Sequence, residues 1–565
     1  MARLLRRPPV LLAAALLSIL LLVRPWGDFP LNDDWQYARV VKHLADGWRF
    51  KIDVAIAPAL VLQAYLAAGL AWLFGFSHLL LRLLTLVAAT ALLWVVDRIL
   101  ATVGARKSDR VLAGGLLMVN PIFLYLACSF MTEIYGYLLA LLAVLLWLSR
   151  RQRDHDRSGR PMTSYATGVG VALLAGASFW IRQFCLTVYP ALVAAGLLDQ
   201  LRRRDSTGLR KSLPRLLTSA VVLMVVVGGY FAWARWTGNY RKEFSNRLGD
   251  LHRIQTKLWQ LSAFEMTVYL TAFFFPFLFV AHYRRLRWQW LMITAGAIML
   301  LVWRGKHLQD QFAGFHHHVA FPYSANLINN PGVGPMTLSS AYSTRTGAPR
   351  WSAEIWETIE SGLLGLVFTW SLWWAVPRRR DILAGTLRCF ALGFGLLSAA
   401  LAVQAYDNEV LDRYYFPVVL AAALFLGSAH QGEAFSKRRD WGGRVLAGIA
   451  ALPLAWFTIA GMHDYFRWNE ARWELARHAL KLVEASNLDG GFEVNGWLNY
   501  DNFWSMHTPQ GCIGRCRCNA KSFICTDDSY QLSLQTPADH TMVAERSPSF
   551  WLLPRTTLIL SKRRE

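Results

Sequence analysis

Long apolar runs constrain this chain more than any other feature of its sequence. The runs at 79–100, 131–148, 216–230 and 383–403 each hold roughly 15 to 22 residues, close to the ~20 that an α-helix needs to cross ~30 Å of hydrocarbon. Of the 565 residues, 54% are hydrophobic and only 17% are charged, which is more apolar than an ordinary soluble domain. The sequence therefore predicts an all-α polytopic membrane protein, and it excludes a disordered chain or a simple soluble fold.

The positive charge fits the same class of protein. Lys and Arg number 59 against 37 Asp and Glu, a net charge of +22 that could serve nucleic acid, anionic lipid or cytoplasmic membrane loops. The basic clusters stand between the apolar runs, in alternating connections, as the positive-inside rule predicts. We therefore interpret the charge as membrane topology and expect no nucleic-acid partner. The clusters surround Arg6, Lys107, Arg151, Arg203, Arg285, Arg379 and Arg438.

Placing these clusters inside predicts about 13 crossings, a cytoplasmic N-terminus and an extracytoplasmic C-terminus. The run at 10–23 is kept as an anchor, because no small-residue cleavage site follows it. The run at 54–76 is interpreted as a re-entrant or interfacial helix broken near Pro58, since a full crossing would place Lys107 outside. The predicted crossings are 10–23, 79–100, 111–127, 131–148, 164–181, 184–198, 216–236, 263–282, 290–303, 359–376, 383–403, 414–429 and 445–462.

This topology divides the chain into two domains. A transmembrane domain covers 1–462, with a first external loop at 26–78 and a long external loop at 305–357. Connections of that length are usually functional lids or disordered, so the long loop is either a lid over an outward-facing site or a passive connector. A small extracytoplasmic domain of mixed α/β structure follows at 463–565, opening with an amphipathic helix and continuing in short strand-like runs.

The cysteines are distributed in agreement with this topology. Three lie in or beside apolar runs, whereas four cluster in the predicted external domain. An even external set predicts two disulfides with three possible connectivities, and a zinc site is the alternative. The chain has no Asn-x-Ser/Thr sequon, which favours a bacterial inner membrane over the endoplasmic reticulum. The first group is Cys128, Cys185 and Cys389, and the external group is Cys512, Cys516, Cys518 and Cys525.

Ionisable side chains gather at the predicted outer ends of the helices. Such groups are costly at membrane depth, so we interpret the set as a functional cavity, although any single one could simply anchor a helix end. A carboxylate can accept the proton of an attacking hydroxyl, while an arginine can hold a phosphate and stabilise its charge. That is the chemistry needed to displace a lipid phosphate from a sugar. The set includes Asp33, Asp34, Arg82, Glu133, Arg182, Gln183, Glu265, Asp407, Glu409, Asp412 and Arg413.

Several short motifs occur in an order that resembles a known family. Asp33-Asp34-Trp35-Gln36-Tyr37 resembles the Asp-Glu-x-x-Tyr element in the first external loop of GT-C glycosyltransferases, the group of the protein O-mannosyltransferases and the aminoarabinose transferase that modifies lipid A. The resemblance covers roughly 1–462, and the arrangement of about 13 spans followed by an external tail is similar to that of the aminoarabinose transferase. The further matching elements are Pro58 with Leu73-Phe74-Gly75-Phe76 and Arg82, Met131-Thr132-Glu133, Ile181-Arg182-Gln183, and Asp412-Arg413-Tyr414-Tyr415-Phe416-Pro417.

The resemblance implies an activity and roles for these residues. It implies an inverting hexosyl- or pentosyltransferase that moves a sugar from a polyprenyl-phosphate donor to a lipid, glycan or protein acceptor of the cell envelope, outside the cytoplasm. Asp33 would be the general base or orient the acceptor, while Asp34 and Glu133 would position the acceptor or tune that base. The donor phosphate would be bound by Arg182, Arg413 or Arg82, and the acceptor or sugar by Tyr37 and Tyr414.

One departure from the family affects the donor site. Relatives commonly carry Lys or His before the proline of the interfacial helix, whereas Ile56-Ala57-Pro58-Ala59 has no charge. Phosphate contacts must therefore come from elsewhere, with Arg304 and Lys306 as further candidates.

No cofactor is required by this chemistry. The three consecutive residues His316, His317 and His318 cannot all face one metal without a special turn, and no carboxylates stand near them, so a divalent metal is not supported.

Two other functions compete with an enzyme. A transporter or flippase of lipid-linked sugars has similar hydropathy, but such proteins commonly show internal repeats and binding residues at the midplane. Here no repeat is evident and the acids lie at outer helix ends. An inactive assembly scaffold is the third candidate, and it would tolerate neutral residues at Asp33 and Glu133.

Overall fold

The computed structural model is mostly helical, with a small sheet in its C-terminal part. It describes residues 8–47, 50–52, 60–158, 164–202, 206–239, 256–282, 326–338 without 330, 331 and 337, then 359, 382–405, 410–428, 441–503 and 507–564 with gaps at 509–510, 513–515, 520–523 and 528.

The helices follow the apolar runs of the sequence. We number them α1 Pro8–Val23, α2 Asp34–Gly47, α3 Val61–Phe74, α4 His78–Thr102, α5 Lys107–Met118, α6 Pro121–Ala127, α7 Thr132–Ser158, α8 Tyr165–Phe179, α9 Val188–Arg202, α10 Ser206–Trp236, α11 Thr256–Phe274, α12 Pro276–His282, α13 Ile382–Ala405, α14 Phe416–Gly427, α15 Trp441–Ala479 and α16 Phe492–Asn499. Short 3₁₀ helices lie at Gln183–Thr187, Asp412–Tyr415, Ala485–Asn487 and Tyr500–Asn502.

The strands are short and lie in the parts of the chain that the sequence predicts to be external. A four-stranded sheet has the order β3-β8-β10-β9, with a parallel β3–β8 pair and antiparallel pairs elsewhere. Three two-stranded hairpins pair β1 with β2, β4 with β5 and β6 with β7. The strands are β1 Ile328–Asn329, β2 Gly332–Val333, β3 Leu488–Asp489, β4 His507–Thr508, β5 Gly511–Cys512, β6 Cys516–Asn519, β7 Ile524–Asp527, β8 Tyr530–Ser533, β9 His540–Arg546 and β10 Leu558–Arg563.

Within the described residues, six helices are long and apolar enough to cross a membrane, or seven if the bent pair α5–α6 is one span. The crossing predicted at 111–127 is thus bent, by 69°. Asn120 causes the break, because its side chain accepts the amides of Ile122 and Phe123 and so starts a new helix at Pro121. The predicted crossings 290–303 and nearly all of 359–376 lie outside the described residues, so the count of 13 stays a prediction.

Helix α3 fills the place predicted for an interfacial helix. It holds 14 residues, which at 1.5 Å per residue is about 21 Å, too short to cross ~30 Å of hydrocarbon. It begins after Leu60, whose left-handed backbone (φ 67°) turns the chain. The predicted break near Pro58 lies outside the described residues, as do Arg304, Lys306 and His316 to His318.

Helix α15 joins the membrane part to the C-terminal domain. Its 39 residues span about 58 Å, so the predicted domain boundary at 462 lies inside one continuous helix. Past that point Asp464 ties the helix to the C-terminal chain, because its carboxylate accepts the backbone amides of Trp551, Leu552 and Leu553 at 2.7–3.0 Å. The outer half of α15 is therefore part of the C-terminal domain's core.

Candidate functional site

Four separate chain segments bring two acids and two arginines together. Asp33 precedes α2 and forms an ion pair with Arg413 of the 3₁₀ helix Asp412–Tyr415. Glu133, in the first turn of α7, lies 3.1 Å from Arg182 Nη1, in the turn after α8. All four side chains are at most 10% exposed. Charged groups are rarely buried unless they are paired, so this is a built site.

Two tyrosines complete the group. The Tyr414 ring lies between the two guanidinium groups, with its centroid 5.4 Å from Arg182 Cζ and 5.1 Å from Arg413 Cζ. Arg413 also donates to the Tyr414 hydroxyl at 3.2 Å. Tyr37 lies within electrostatic reach of both acids and both arginines. Asp33, Tyr37, Glu133, Arg182, Arg413 and Tyr414 are called the acid–arginine cluster below.

Local backbone structure explains why the cluster forms. Asp33 and Glu133 stand at the N-termini of α2 and α7, where the helix macrodipole favours negative charge. The turn that carries Arg182 is fixed by α3, because the amides of Leu60 and Val61 donate to the carbonyls of Ile181 and Trp180, both at 2.9 Å. The short helix α3 thus holds the turn beside Arg182 in place.

Three buried polar atoms of the cluster form no hydrogen bond among the described residues: Arg182 Nε, Arg413 Nε and Glu133 Oε1, the last of which is in ion-pair contact with Arg182 Nη1. Unsatisfied buried polar atoms are rare in native structures, and each calls for an explanation. One of these atoms is an acceptor and two are cationic donors. The cluster can therefore take a ligand that offers both a hydroxyl group and an anionic oxygen.

Asp34 lies beside Asp33 but has different partners. Its carboxylate accepts the amides of Leu31 at 2.6 Å and Phe130 at 3.1 Å. Burial raises its pKa to about 7, although Arg82 and these hydrogen bonds act in the opposite direction. The structure thus places Asp34 as a link between the first external loop and the chain entering α7. We therefore do not assign Asp34 to the reacting group, and the role that the resemblance implies for it stays a prediction.

The raised pKa of Asp34 predicts a pH-dependent stability. In the folded protein Asp34 holds its proton more tightly than in the unfolded chain, where the carboxyl group ionises above pH 3.8. The contribution of this protonation to the stability of the fold is therefore full below pH 3.8 and is lost as pH rises through about 7. Between about pH 5 and about pH 8 we expect the unfolding temperature of the wild type to fall more than that of Asp34→Asn. Thermal unfolding in detergent measures both slopes, and equal slopes would contradict the assignment.

Arg82, a predicted phosphate ligand, is fully engaged elsewhere. Its guanidinium group donates to the carbonyls of Cys128, Pro25, Gly27 and Phe29 at 2.5–2.9 Å. Every nitrogen of the group is used, because Nε, Nη1 and Nη2 each donate at least once. Arg82 therefore fixes the loop between α1 and α2 against the end of α6, and we leave it out of the proposed phosphate site.

Asp412 anchors a piece of the long external loop beside Arg413. Its carboxylate accepts the amides of Leu327 at 3.0 Å and Ile328 at 2.6 Å, and burial raises its pKa to about 6. The hairpin β1–β2 that follows is buried, with Val333 1% exposed. This part of the long loop packs next to the cluster and is not a free connector.

The predicted external cysteines are partly described. Cys525 is disulfide-bonded, and the backbone of β6–β7 sets Cys518 opposite Cys525. The side chains of Cys512, Cys516 and Cys518 lie outside the described residues. Cys128, Cys185 and Cys389 are free thiols.

A metal site is not found in the part of the chain that the structure describes. There, no group of three or more His, Cys, Asp and Glu side chains is arranged to hold a metal ion. Metal dependence is therefore not tested, because His316 to His318 and other candidate ligands lie outside that part.

The C-terminal domain contributes contacts beside the cluster that the sequence does not predict. Glu493 of α16 accepts the amide of Asn32, the residue before Asp33, and pairs with Arg472 of α15. Trp35 of α2 packs against Phe492, which belongs to α16 like Glu493. No signal in one sequence links positions 461 residues apart, so this contact could not be predicted.

Comparisons with known proteins give structural likenesses at low identity. No protein-family model matches the chain, and no curated protein matches it in sequence. The structure is similar to that of ArnT from Cupriavidus metallidurans bound to undecaprenyl phosphate, with 13% identity, 97% of each chain covered and a TM-score of 0.49. The apo state of that ArnT gives 14% identity, 97% coverage of both chains and a TM-score of 0.41.

A further likeness is to the archaeal oligosaccharyltransferase AglB from Archaeoglobus fulgidus in complex with an inhibitory peptide and a dolichol-phosphate. It has 14% identity and a TM-score of 0.42, and it covers 82% of this chain and 57% of that chain. Because all TM-scores lie below 0.5, the activity is inferred below from the site and not from these likenesses.

Proposed function

We propose that this chain is a membrane glycosyltransferase that moves a sugar from a polyprenyl-phosphate donor to a hydroxyl group of an envelope acceptor, on the extracytoplasmic face. One observation carries the proposal. The acid–arginine cluster combines two buried donors, Arg182 Nε and Arg413 Nε, with a buried acceptor, Glu133 Oε1. None of the three forms a hydrogen bond in the described part of the protein, and Glu133 Oε1 is held only by its ion-pair contact with Arg182. The hydroxyl group of the acceptor substrate would donate to Glu133, and the phosphate of the leaving group would accept from the two arginines.

In the proposed reaction the acceptor oxygen attacks the anomeric carbon of the donor sugar. The bond between that carbon and the phosphate oxygen breaks, and the electron pair leaves with the polyprenyl phosphate. The acceptor proton passes to Asp33, while Glu133 orients the hydroxyl group. Arg182 and Arg413 stabilise the charge on the departing phosphate. A single displacement of this kind inverts the anomeric configuration.

The ion pair of Asp33 and Arg413 fits a closed resting state. Both side chains are at most 10% exposed and neutralise each other, which lowers the cost of burying them before substrate arrives. An incoming phosphate competes for the guanidinium group of Arg413. Its binding releases Asp33 to accept a proton, so the base becomes available when the donor is present.

An apolar cavity along α14, the helix that follows Arg413, supports a lipid-linked donor. It has a volume of about 370 Å³ and is lined by α11, α13 and α14 with residues such as Met266, Ala399 and Val418. Helix α14 follows directly on the 3₁₀ helix of Arg413. A polyprenyl chain in this cavity would bring its phosphate to Arg413, whereas a water-soluble nucleotide sugar gains nothing from an apolar wall.

The donor class can be tested directly. Purified protein in proteoliposomes is supplied with labelled polyprenyl-phosphate sugars or with the corresponding nucleotide sugars, together with envelope lipid, glycan and peptide acceptors. We expect consumption of a polyprenyl-linked donor and no consumption of the nucleotide sugars. Transfer from nucleotide sugars alone would contradict the proposed donor.

Replacing Arg413 by lysine should lower kcat/KM for the donor by about tenfold to a hundredfold, because charge-assisted hydrogen bonds contribute about 1.5–3 kcal/mol. A lysine keeps the charge but loses the planar fork that matches a phosphate. Arg110→Lys is the matched control, since Arg110 forms a two-pronged pair with Asp97 at 2.6–2.7 Å, at the predicted cytoplasmic ends of α4 and α5. An equal loss in both variants would contradict phosphate binding at Arg413.

A further inference from the structure

The C-terminal domain holds the backbone beside the proposed base. Asn32 has a φ of 46°, in the left-handed region that a residue with a side chain seldom adopts. Its amide donates to Glu493 Oε1 at 3.1 Å. Glu493 is fully buried, and its Oε2 accepts from Arg472 Nη1 at 2.6 Å. An ion pair of the C-terminal domain thus restrains the residue that precedes Asp33.

The same part of the C-terminal domain also packs against α2, the helix that follows Asp33. The Trp35 ring lies 5.8 Å from the Phe492 ring and 5.7 Å from the Tyr500 ring. Gly496 permits this packing, because a Cβ atom there would lie 2.3 Å from the indole. Arg39 reaches Asp501 at 2.7 Å. Helix α2, which carries Tyr37, is therefore seated on α16 and the 3₁₀ turn after it.

We propose that Arg472 and Glu493 are positioning residues for sugar transfer: through the amide of Asn32 they set the backbone from which Asp33 extends. This proposal rests on the proposed function and deepens it, because it gives the C-terminal domain the task of positioning the proposed base. Neither residue touches the substrate. Arg472 holds the Glu493 carboxylate in place, and Glu493 keeps Asn32 in its left-handed conformation.

The expected consequence of breaking this contact is a displaced base. Without an acceptor for its amide, Asn32 can return to the ordinary region of backbone space, which changes the direction in which Asp33 leaves the chain. A misplacement of about 1 Å caused by a remote substitution can cost about a hundredfold in rate. The binding of the polyprenyl phosphate, which depends on Arg182 and Arg413, should change little.

The test uses a double variant of the full chain in proteoliposomes. A single substitution would leave a buried charge without its partner, whereas replacing a buried ion pair by apolar residues of similar volume is often neutral for stability. We expect Arg472→Met/Glu493→Met to unfold at a lower temperature, because the Asn32 amide and Asn469 Oδ1 lose these partners. The variant should stay folded at the assay temperature, keep the donor KM, and lose at least about tenfold in kcat. A wild-type kcat in this variant would overturn the proposal.

A second ion pair between α15 and the C-terminal sheet provides the control. Arg546 and Glu474 pair at 2.7 Å, and their side chains are 49% and 56% exposed. Arg546→Met/Glu474→Met removes that exposed pair but keeps the contact of Glu493 with Asn32, so it should leave kcat and KM unchanged. A similar loss of kcat in both double variants would show a general weakening of the domain and would overturn the positioning role.

Two further readouts separate positioning from stability and from the function itself. Asn32→Ala should lower kcat more than Asn32→Gly, because glycine accepts a left-handed φ without strain; equal losses would count against the proposal. Hydrogen exchange of the Asn32 amide should be faster in Arg472→Met/Glu493→Met than in the wild type. If the wild type transfers no sugar, the proposed function fails. If the Asn32 amide exchanges equally fast in both proteins, the restraint of Asn32 by Glu493 is contradicted, whatever the activity.

Discussion

Asp33→Asn should lower kcat for sugar transfer by about 10²–10⁴-fold, the range that a general base contributes. Asparagine has nearly the same volume as aspartate but cannot accept the proton of the attacking hydroxyl. It also ends the ion pair with Arg413, so donor binding should be retained or strengthened. Initial rates in proteoliposomes, measured over a range of donor concentrations, give kcat and KM separately.

Asp46→Asn is the matched control for this prediction. Asp46 belongs to the same helix α2, is 65% exposed and lies 3.7 Å from Lys42 one turn away. Exposed pairs of this kind contribute about 0–1 kcal/mol, so the control should fold and transfer sugar as the wild type does. Equal kcat values in the two asparagine variants would contradict the assignment of Asp33 as the base.

Arg82→Lys should destabilise the protein by about 3 kcal/mol or more, because an unsatisfied buried acceptor costs about 1–3 kcal/mol. Four carbonyls accept from the planar guanidinium group, at Cys128, Pro25, Gly27 and Phe29. A lysine ammonium has three donors on one atom and cannot replace this fork. We expect a lower unfolding temperature in detergent and an unchanged donor KM in the protein that remains folded.

The control for Arg82 lies on the same helix. Arg98 of α4 is exposed, so Arg98→Lys should leave the unfolding temperature unchanged. If Arg82→Lys kept the wild-type unfolding temperature but raised the donor KM, Arg82 would be a phosphate ligand, as the sequence motifs implied. The two substitutions thus distinguish a structural arginine from a binding one.

The helices could be predicted from the sequence because hydropathy is a local property of a run of residues. The structure places helices at 78–102, 132–158 and 382–405, over the runs predicted at 79–100, 131–148 and 383–403. The bend between α5 and α6 was missed, although Asn120 followed by Pro121 is a helix-start signal. Hydropathy alone does not register such a break, since the residues on both sides are apolar.

The membership of the acid–arginine cluster could also be predicted. The charge rule puts Asp33, Glu133, Arg182 and Arg413 in a larger set on one side of the membrane, and the family resemblance picks them out of that set. The structure brings these four into two ion pairs. Their individual roles stay predictions. The side of the membrane on which an arginine lies does not show whether it binds substrate or only holds the backbone. The structural arginine Arg82 is therefore in the same predicted set.

Backbone contacts between distant segments could not be predicted. Asp34 accepts the amide of Phe130, 96 positions away, and Glu493 accepts that of Asn32. A backbone amide has no identity in the sequence, so a side chain that binds one leaves no motif. These contacts separate Asp34 from Asp33 and give the C-terminal domain its proposed role.

Following sugar and lipid in the same vesicles tests the central claim most directly. Proteoliposomes receive a polyprenyl-phosphate sugar labelled differently in the sugar and in the lipid, with an envelope acceptor, and contain either the wild type or Asp33→Asn. The account predicts that the wild type moves the sugar label to the acceptor and frees polyprenyl phosphate, while Asp33→Asn does neither. Movement of both labels together across the bilayer, equal in the two proteins and without transfer, would contradict it and identify a flippase.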